Sequence, residues 1–238
     1  MSPRHYLLVD DNRAFGENVA EILRDEGNEV TLSTDAAQAV KLVRDRRYDA
    51  LVTDMRMPGM GGAQLVHEAR RADPGLPAVV VSAYTAEHDL DDARRAGLLA
   101  VLSKPVPIPR LTALLAKARR NAVVALVEDD EAFADNLCEL LTNEGFAVLA
   151  ARSLEEAEAL FGARPMVAVV DLRLPGSLDG AAAKRLAERF PAVPLVVITG
   201  FPTQATALPP HTLFVKPFET QRLLAHLNAL HAEAVKPR

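Results

Sequence analysis

Tryptophan is absent from the 238 residues, aromatics make up only 5% of them, and there is a single cysteine, Cys138. One cysteine forms no internal disulfide, which excludes a disulfide scaffold and fits a reducing, cytoplasmic setting. No apolar run approaches the ~18 residues that a membrane span needs. The start, Met1-Ser2-Pro3-Arg4, opens no long apolar stretch of the kind a signal peptide carries. Positive charge is not in excess either. The 27 Lys+Arg and 32 Asp+Glu leave a net charge of -5, which argues against a dedicated nucleic-acid binder because phosphate backbones select basic surfaces. The imbalance is local: residues 1–120 hold 17 of each sign, whereas residues 121–238 hold 10 basic and 15 acidic. What is present, 49% hydrophobic and 25% charged residues, is an ordinary globular composition, so disorder and collagen-like structure are excluded.

A chain of this length holds one large domain or two small ones, and an internal repeat decides between them. Leu7-Leu8-Val9-Asp10-Asp11 aligns with Ala125-Leu126-Val127-Glu128-Asp129, 118 positions on. Phe15, Val19, Ile22, Leu23 and Gly27 then align with Phe133, Leu137, Leu140, Leu141 and Gly145. Those spacings predict one helix in each half, with its apolar set on one face and a glycine just past its end. Ala50-Leu51-Val52-Thr53-Asp54 aligns with Val167-Ala168-Val169-Val170-Asp171, and Val79-Val80-Val81-Ser82 with Val196-Val197-Ile198-Thr199, both 117 apart. Ser103-Lys104-Pro105 aligns with Val215-Lys216-Pro217 at 112, so the second half has lost five residues before its lysine. Short β-branched runs without polar alternation suit strands covered on both faces, and the amphipathic segments between them suit crossover helices. The expected class is α/β: two doubly wound, five-stranded parallel sheets, with domains at 1–120 and 121–238. No Gly/Ser/Pro-rich linker separates Lys117-Ala118-Arg119-Arg120 from the strand beginning near Ala122, so a restricted orientation of the domains is expected.

Sites in such sheets lie beyond the carboxyl ends of the strands. Asp10, Asp11, Asp54, Ser82 and Lys104 all fall there, as do Glu128, Asp129, Asp171, Thr199 and Lys216. Three converging carboxylates repel one another unless a cation intervenes, and hard oxygen ligands with room for water suit Mg²⁺. A lysine and a hydroxyl on neighbouring strand ends suit an anion such as a phosphoryl group, and the carboxylate ending the third strand then stands as nucleophile. Taken singly, each piece has a plain structural reading. The acid pair before a helix is a cap, Asp54 ahead of Pro58-Gly59 closes a turn, the hydroxyls satisfy backbone groups and the lysines are solvated charges. The ordered quintet, occurring twice, favours the joint reading.

Both halves resemble response-regulator receiver domains of flavodoxin-like fold. The resemblance rests on Asp54-Met55-Arg56-Met57-Pro58-Gly59-Met60-Gly61-Gly62, on Asp171-Leu172-Arg173-Leu174-Pro175-Gly176, and on the lysine-proline pairs Lys104-Pro105 and Lys216-Pro217, which in that family carry a cis peptide. It implies that Asp54 and Asp171 are phospho-acceptors. Asp11 and Asp129 would ligate Mg²⁺ together with the acceptor and the main-chain carbonyl of Arg56 or Arg173. Asp10 and Glu128 would hold metal-bound water. Ser82 or Thr199, with Lys104 or Lys216, would bind phosphoryl oxygens. The donor would be a histidine kinase or histidine phosphotransfer protein, and the chain a switch rather than a turnover enzyme.

Two departures from the family stand out. Val101 and Leu213 occupy the position, three before each lysine, where receivers usually carry a switch aromatic. Ser82 and Lys104 are 22 positions apart, but Thr199 and Lys216 only 17, with Pro202, Pro209 and Pro210 between. The helix between the fourth and fifth strands, expected near Ala86 to Ala96 in the first half, should therefore be absent or vestigial in the second. That helix belongs to the family's usual signalling and dimerisation face, which leaves the first receiver as the one equipped to dimerise. After Phe218 only one amphipathic helix is expected, marked by Leu223, Leu224, Leu227 and Leu230, so no DNA-binding output module is foreseen. Two rival readings are an aspartyl-nucleophile phosphatase, disfavoured because Arg56 and Arg173 stand where its second acid belongs, and a second receiver that acts only as a non-phosphorylated scaffold. Cys138 reads as packing.

Overall fold

A computed structural model describes residues 3–83, 97–159, 165–174 and 180–235. By contact the chain divides into two compact units, Met1–Arg120 with Thr142–Ala147, and Asn121–Leu141 with Val148–Arg238.

The first unit contains β1 (His5–Val9), α1 (Arg13–Asp25), β2 (Glu29–Ser33), α2 (Ala36–Asp45), β3 (Ala50–Asp54), α3 (Gly62–Ala72), β4 (Ala78–Ser82), β5 (Ala100–Ser103) and α4 (Ile108–Lys117). Its strands run in the order β2-β1-β3-β4-β5, all parallel. Alternate side chains of each strand face opposite helix layers. Leu7, Val9, Leu51 and Val80 pack with Ala39, Val40 and Val43 of α2 and with Leu65, Val66 and Ala69 of α3. Tyr6, Leu8, Val52, Val79 and Val81 pack with Val19, Ala20 and Leu23 of α1 and with Leu111, Leu114 and Leu115 of α4. Burial on both faces explains why β3 and β4 are almost purely apolar, while the edge strand β2 keeps an exposed Glu29. The buried stripe of α1 is Gly16, Val19, Ala20 and Leu23. Ile22, assigned by spacing to the apolar face, lies at the stripe's edge and is 36% exposed. Gly27 ends the helix at φ 86°, a left-handed conformation that favours glycine. The helix expected near Ala86 to Ala96 falls outside the described residues.

The second unit repeats the plan with β6 (Val123–Val127), α5 (Glu131–Asn143), β7 (Ala147–Ala151), α6 (Leu154–Ala159), β8 (Val167–Asp171), α7 (Ala181–Arg189), β9 (Leu195–Thr199), β10 (Thr212–Val215) and α8 (Thr220–Ala234). The strand order is β10-β9-β8-β6-β7, the same topology as in the first sheet. Between β9 and β10 stands only a six-residue 3₁₀ helix, Pro202–Ala207, in place of the α-helix that receivers place there. The vestigial element expected from the prolines and the five-residue deletion is thus what forms. Without a covering helix, Leu213 and Val215 of β10 are exposed on one face, while Phe214 turns the other way toward Phe218 and His226. Among the described residues no helix is long and apolar enough to cross a membrane.

Candidate functional site

In both sheets the strand order reverses direction next to the first strand, and the side chains singled out by sequence collect at the carboxyl ends there. In the first unit Asp10 follows β1, Asp54 and Ser82 end β3 and β4, and Lys104 follows β5. Lys104 Nζ donates to Asp10 Oδ2 at 2.9 Å and to Asp54 Oδ2 at 2.8 Å. Asp10 and Ser82 are buried, and Asp11 is exposed. The Arg56 amide sits 3.4 Å from Asp54 Oδ1, which places that residue beside the carboxylate that ends β3. The Lys104 amide donates to the Ser82 carbonyl at 2.7 Å, tying the lysine's backbone to the end of β4.

The second unit builds the same centre with one longer acid. Lys216 Nζ donates to Glu128 Oε2 at 2.7 Å and to Asp171 Oδ2 at 2.6 Å. The Arg173 amide donates to Asp171 Oδ1 at 2.9 Å, and the Thr199 hydroxyl accepts from the Phe201 amide at 3.0 Å. Asp129 is exposed, and Glu128, Asp171 and Thr199 are buried. Both lysine-proline bonds are cis, as the resemblance implied.

The capping reading of the acid pairs is resolved by the residue that follows them. Asn12 Oδ1 accepts from the Phe15 amide at 3.1 Å, and Asp130 Oδ1 from the Phe133 amide at 3.0 Å. The cap is therefore the third residue of each run, which leaves the acids to the site. Sequence reasoning also missed two aromatic contacts. Lys104 Nζ lies 4.4 Å from the Phe15 ring centroid, and Lys216 Nζ lies 4.4 Å from that of Phe133. The Arg173 guanidinium stacks 3.4 Å over the Phe201 ring. The one signal in the sequence was the phenylalanine four positions after the second acid in both halves.

Burial raises the pKa of Asp10 and of Glu128 above the ordinary carboxylate value, against the pull of the lysine each one meets. For Lys104 and Lys216 burial works downward, but the hydrogen bonds and charges of the two acids outweigh it, and both ammonium groups are held above their ordinary value. Each lysine thus remains charged at neutral pH. Asp10, Asp11 and Asp54 bring carboxylate oxygens within 4.8 Å of one another, as do Glu128, Asp129 and Asp171. Closely spaced hard oxygens with an exposed member open to water fit a divalent cation such as Mg²⁺.

A mostly parallel sheet in this order, with acids, hydroxyl and lysine converging at its rim, defines a receiver domain, and the response regulator receiver domain model matches residues 6–116 and again 124–228. The chain belongs to that family and carries two receivers of two-component signalling. It is 54% identical over 230 residues to a response regulator receiver protein of Anaeromyxobacter sp. (strain Fw109-5), covering 97% of this chain and 96% of that one. It is 32% identical over 126 residues to the probable transcriptional regulatory protein TcrX of Mycobacterium tuberculosis, covering 53% of this chain and 54% of that protein. Among solved structures it is similar to the receiver domain of sensor histidine kinase PA1611 from Pseudomonas aeruginosa PAO1, which has a magnesium ion in its active site cleft. That match has 30% identity and a TM-score of 0.44, over 48% of this chain and 94% of that domain.

Proposed function

We propose that the chain accepts phosphate on Asp54 and on Asp171 from a histidine kinase or histidine phosphotransfer protein, and signals through protein contacts in a two-component or phosphorelay pathway. The observation that carries this reading is the lysine held between the acceptor carboxylate and a buried acid, built twice from the same strand ends. An oxygen of Asp54 or Asp171 attacks the phosphorus of the donor. The new O–P bond forms as the donor's P–N bond breaks, the electron pair leaves on the imidazole nitrogen, and that nitrogen takes up a proton. The product is an acyl phosphate. Lys104 or Lys216, charged at neutral pH, turns an N–H donor from the carboxylate to a phosphoryl oxygen, and the Ser82 or Thr199 hydroxyl donates to another. Mg²⁺ would be held by Asp11 or Asp129 with the acceptor and the Arg56 or Arg173 carbonyl, Asp10 or Glu128 would hold its water, and the ion would supply positive charge against the phosphoryl oxygens. The chain is its own acceptor and sheds the phosphoryl group at most by slow self-hydrolysis, so in this reading it is a switch and not a turnover enzyme, placed in the cytoplasm with its donor. Dimerisation is assigned to the first receiver, because the second lacks the helix of the usual face.

Intact-mass measurement after incubation with a small acyl phosphate and Mg²⁺ tests the reading. The native chain gains two phosphates and the Asp54→Asn and Asp171→Asn variants one each; no gain on any of them defeats the proposal.

A further inference from the structure

We infer that Phe15 and Phe133 are positioning residues for the two phosphoryl-binding lysines, an inference that rests on the reading just proposed. An ammonium group has three N–H donors. Lys104 commits two of them to Asp10 and Asp54, and Lys216 two to Glu128 and Asp171. On a further side each Nζ lies 4.4 Å from a phenyl centroid, well inside the ~6 Å within which a ring face attracts a cation. The carboxylate partners change during phosphoryl transfer, because an acceptor that becomes an acyl phosphate loses its carboxylate charge and a cation in the cluster would draw on the same oxygens. A phenyl ring takes up neither proton, metal nor phosphate. It keeps its hold on the ammonium while the acceptors exchange.

The rings are placed for this by the chain itself. Each sits on the first turn of its helix, in a run of two acids, a capping residue, two more residues and the phenylalanine. The cap accepts from the amide of that phenylalanine, at 3.1 Å for Asn12 and 3.0 Å for Asp130, so the residue that starts the helix also fixes the backbone from which the ring projects. In the second unit Phe133 is further braced edge-on by Phe218, with centroids 6.1 Å apart and planes at 88°. The corresponding position in the first unit, two after its lysine, is Val106. The geometry is thus kept with different bracing on the two sides.

The rate of phosphate uptake from a small acyl phosphate with Mg²⁺ is measured for each site alone, Phe15 variants carrying Asp171→Asn and Phe133 variants carrying Asp54→Asn. Phe15→Leu and Phe133→Leu slow uptake by about three- to tenfold, and the tyrosine variants, which keep the ring, restore it. In the unphosphorylated chain the Lys104 and Lys216 Cε protons resonate upfield in the ring current, and move back toward ordinary positions in the leucine variants but not in the tyrosine ones. Leucine variants as fast as their parents, tyrosine variants as slow as leucine, or unmoved lysine resonances overturn the inference while leaving the phospho-acceptor reading intact. Parents that take up no phosphate overturn that reading and this inference together.

Discussion

Single side chains at the two ends of β1 do opposite electrostatic work. At the carboxyl end Asp10 is kept beside a lysine. At the amino end His5 accepts from Arg46 through Nδ1 at 3.0 Å and meets the Thr31 hydroxyl with Nε2 at 2.8 Å, an arrangement for neutral imidazole because a guanidinium only donates. Burial, then the Arg46 charge, lowers the His5 pKa below its ordinary 6.5. A lowered folded-state pKa means that the unfolded chain binds the proton first as pH falls. The stability from neutral His5 is therefore complete above 6.5 and is lost as pH drops below that value toward the folded pKa. Urea unfolding at about pH 7.5 and about pH 5.5 checks this: the native chain loses more stability across the interval than His5→Gln, and equal losses contradict it. The acids, hydroxyls and lysines of the site were legible in sequence because each one interrupts or follows an all-apolar run. Phe15 and Phe133 were legible only as helix-face residues, because their meeting with a lysine about 85 positions away depends on how α1 and α5 lean over the strand ends.

At the scale of elements, the turn after Asp54 is governed by close approach. The Gly62 amide donates to the Met55 carbonyl at 2.8 Å, and a Cβ on Gly62 would run into the Asp54 carbonyl oxygen and come within 3.0 Å of its carbon. These are backbone atoms of Asp54 and cannot swing away. Gly62→Ala should destabilise the first unit by about 1–3 kcal/mol and slow phosphate uptake at Asp54 while leaving Asp171 untouched. Thermal unfolding and site-resolved mass measurement read the two effects, and unchanged uptake at Asp54 would refute the link. Five parallel strands in each half and the trimmed connection between β9 and β10 followed from the repeat and from three prolines, whereas the order of the strands is seen only in the structure. The face of α1 did not follow as fully. Helical spacing groups Ile22 with Val19 and Leu23, but Gly16, where a Cβ would meet the Leu32 side chain of β2, and Ala20 complete the buried stripe and Ile22 is left outside.

For the whole molecule, the two acid clusters predict two cation sites. Calorimetric titration with Mg²⁺ should show two binding events on the native chain and one on each of Asp11→Asn and Asp129→Asn, and Mg²⁺ should raise the unfolding midpoint until EDTA returns it. A single event on the native chain would mean that one cluster is only structural. The trimmed connection also changes how the chain meets its own copies. From Gly200 to Val215 there is no charged residue, and Phe201, Leu213 and Val215 stand exposed beside the rim strand β10. Sheet rims are normally kept from templating one another by charge. Here the segment leading into β10 carries proline at 202, 209 and 210, residues that offer no amide to an incoming strand. Protection of this rim by proline rather than charge predicts that the protein stays monodisperse in light scattering at salt concentrations that neutralise charge-based protection, and assembly induced by salt would contradict it.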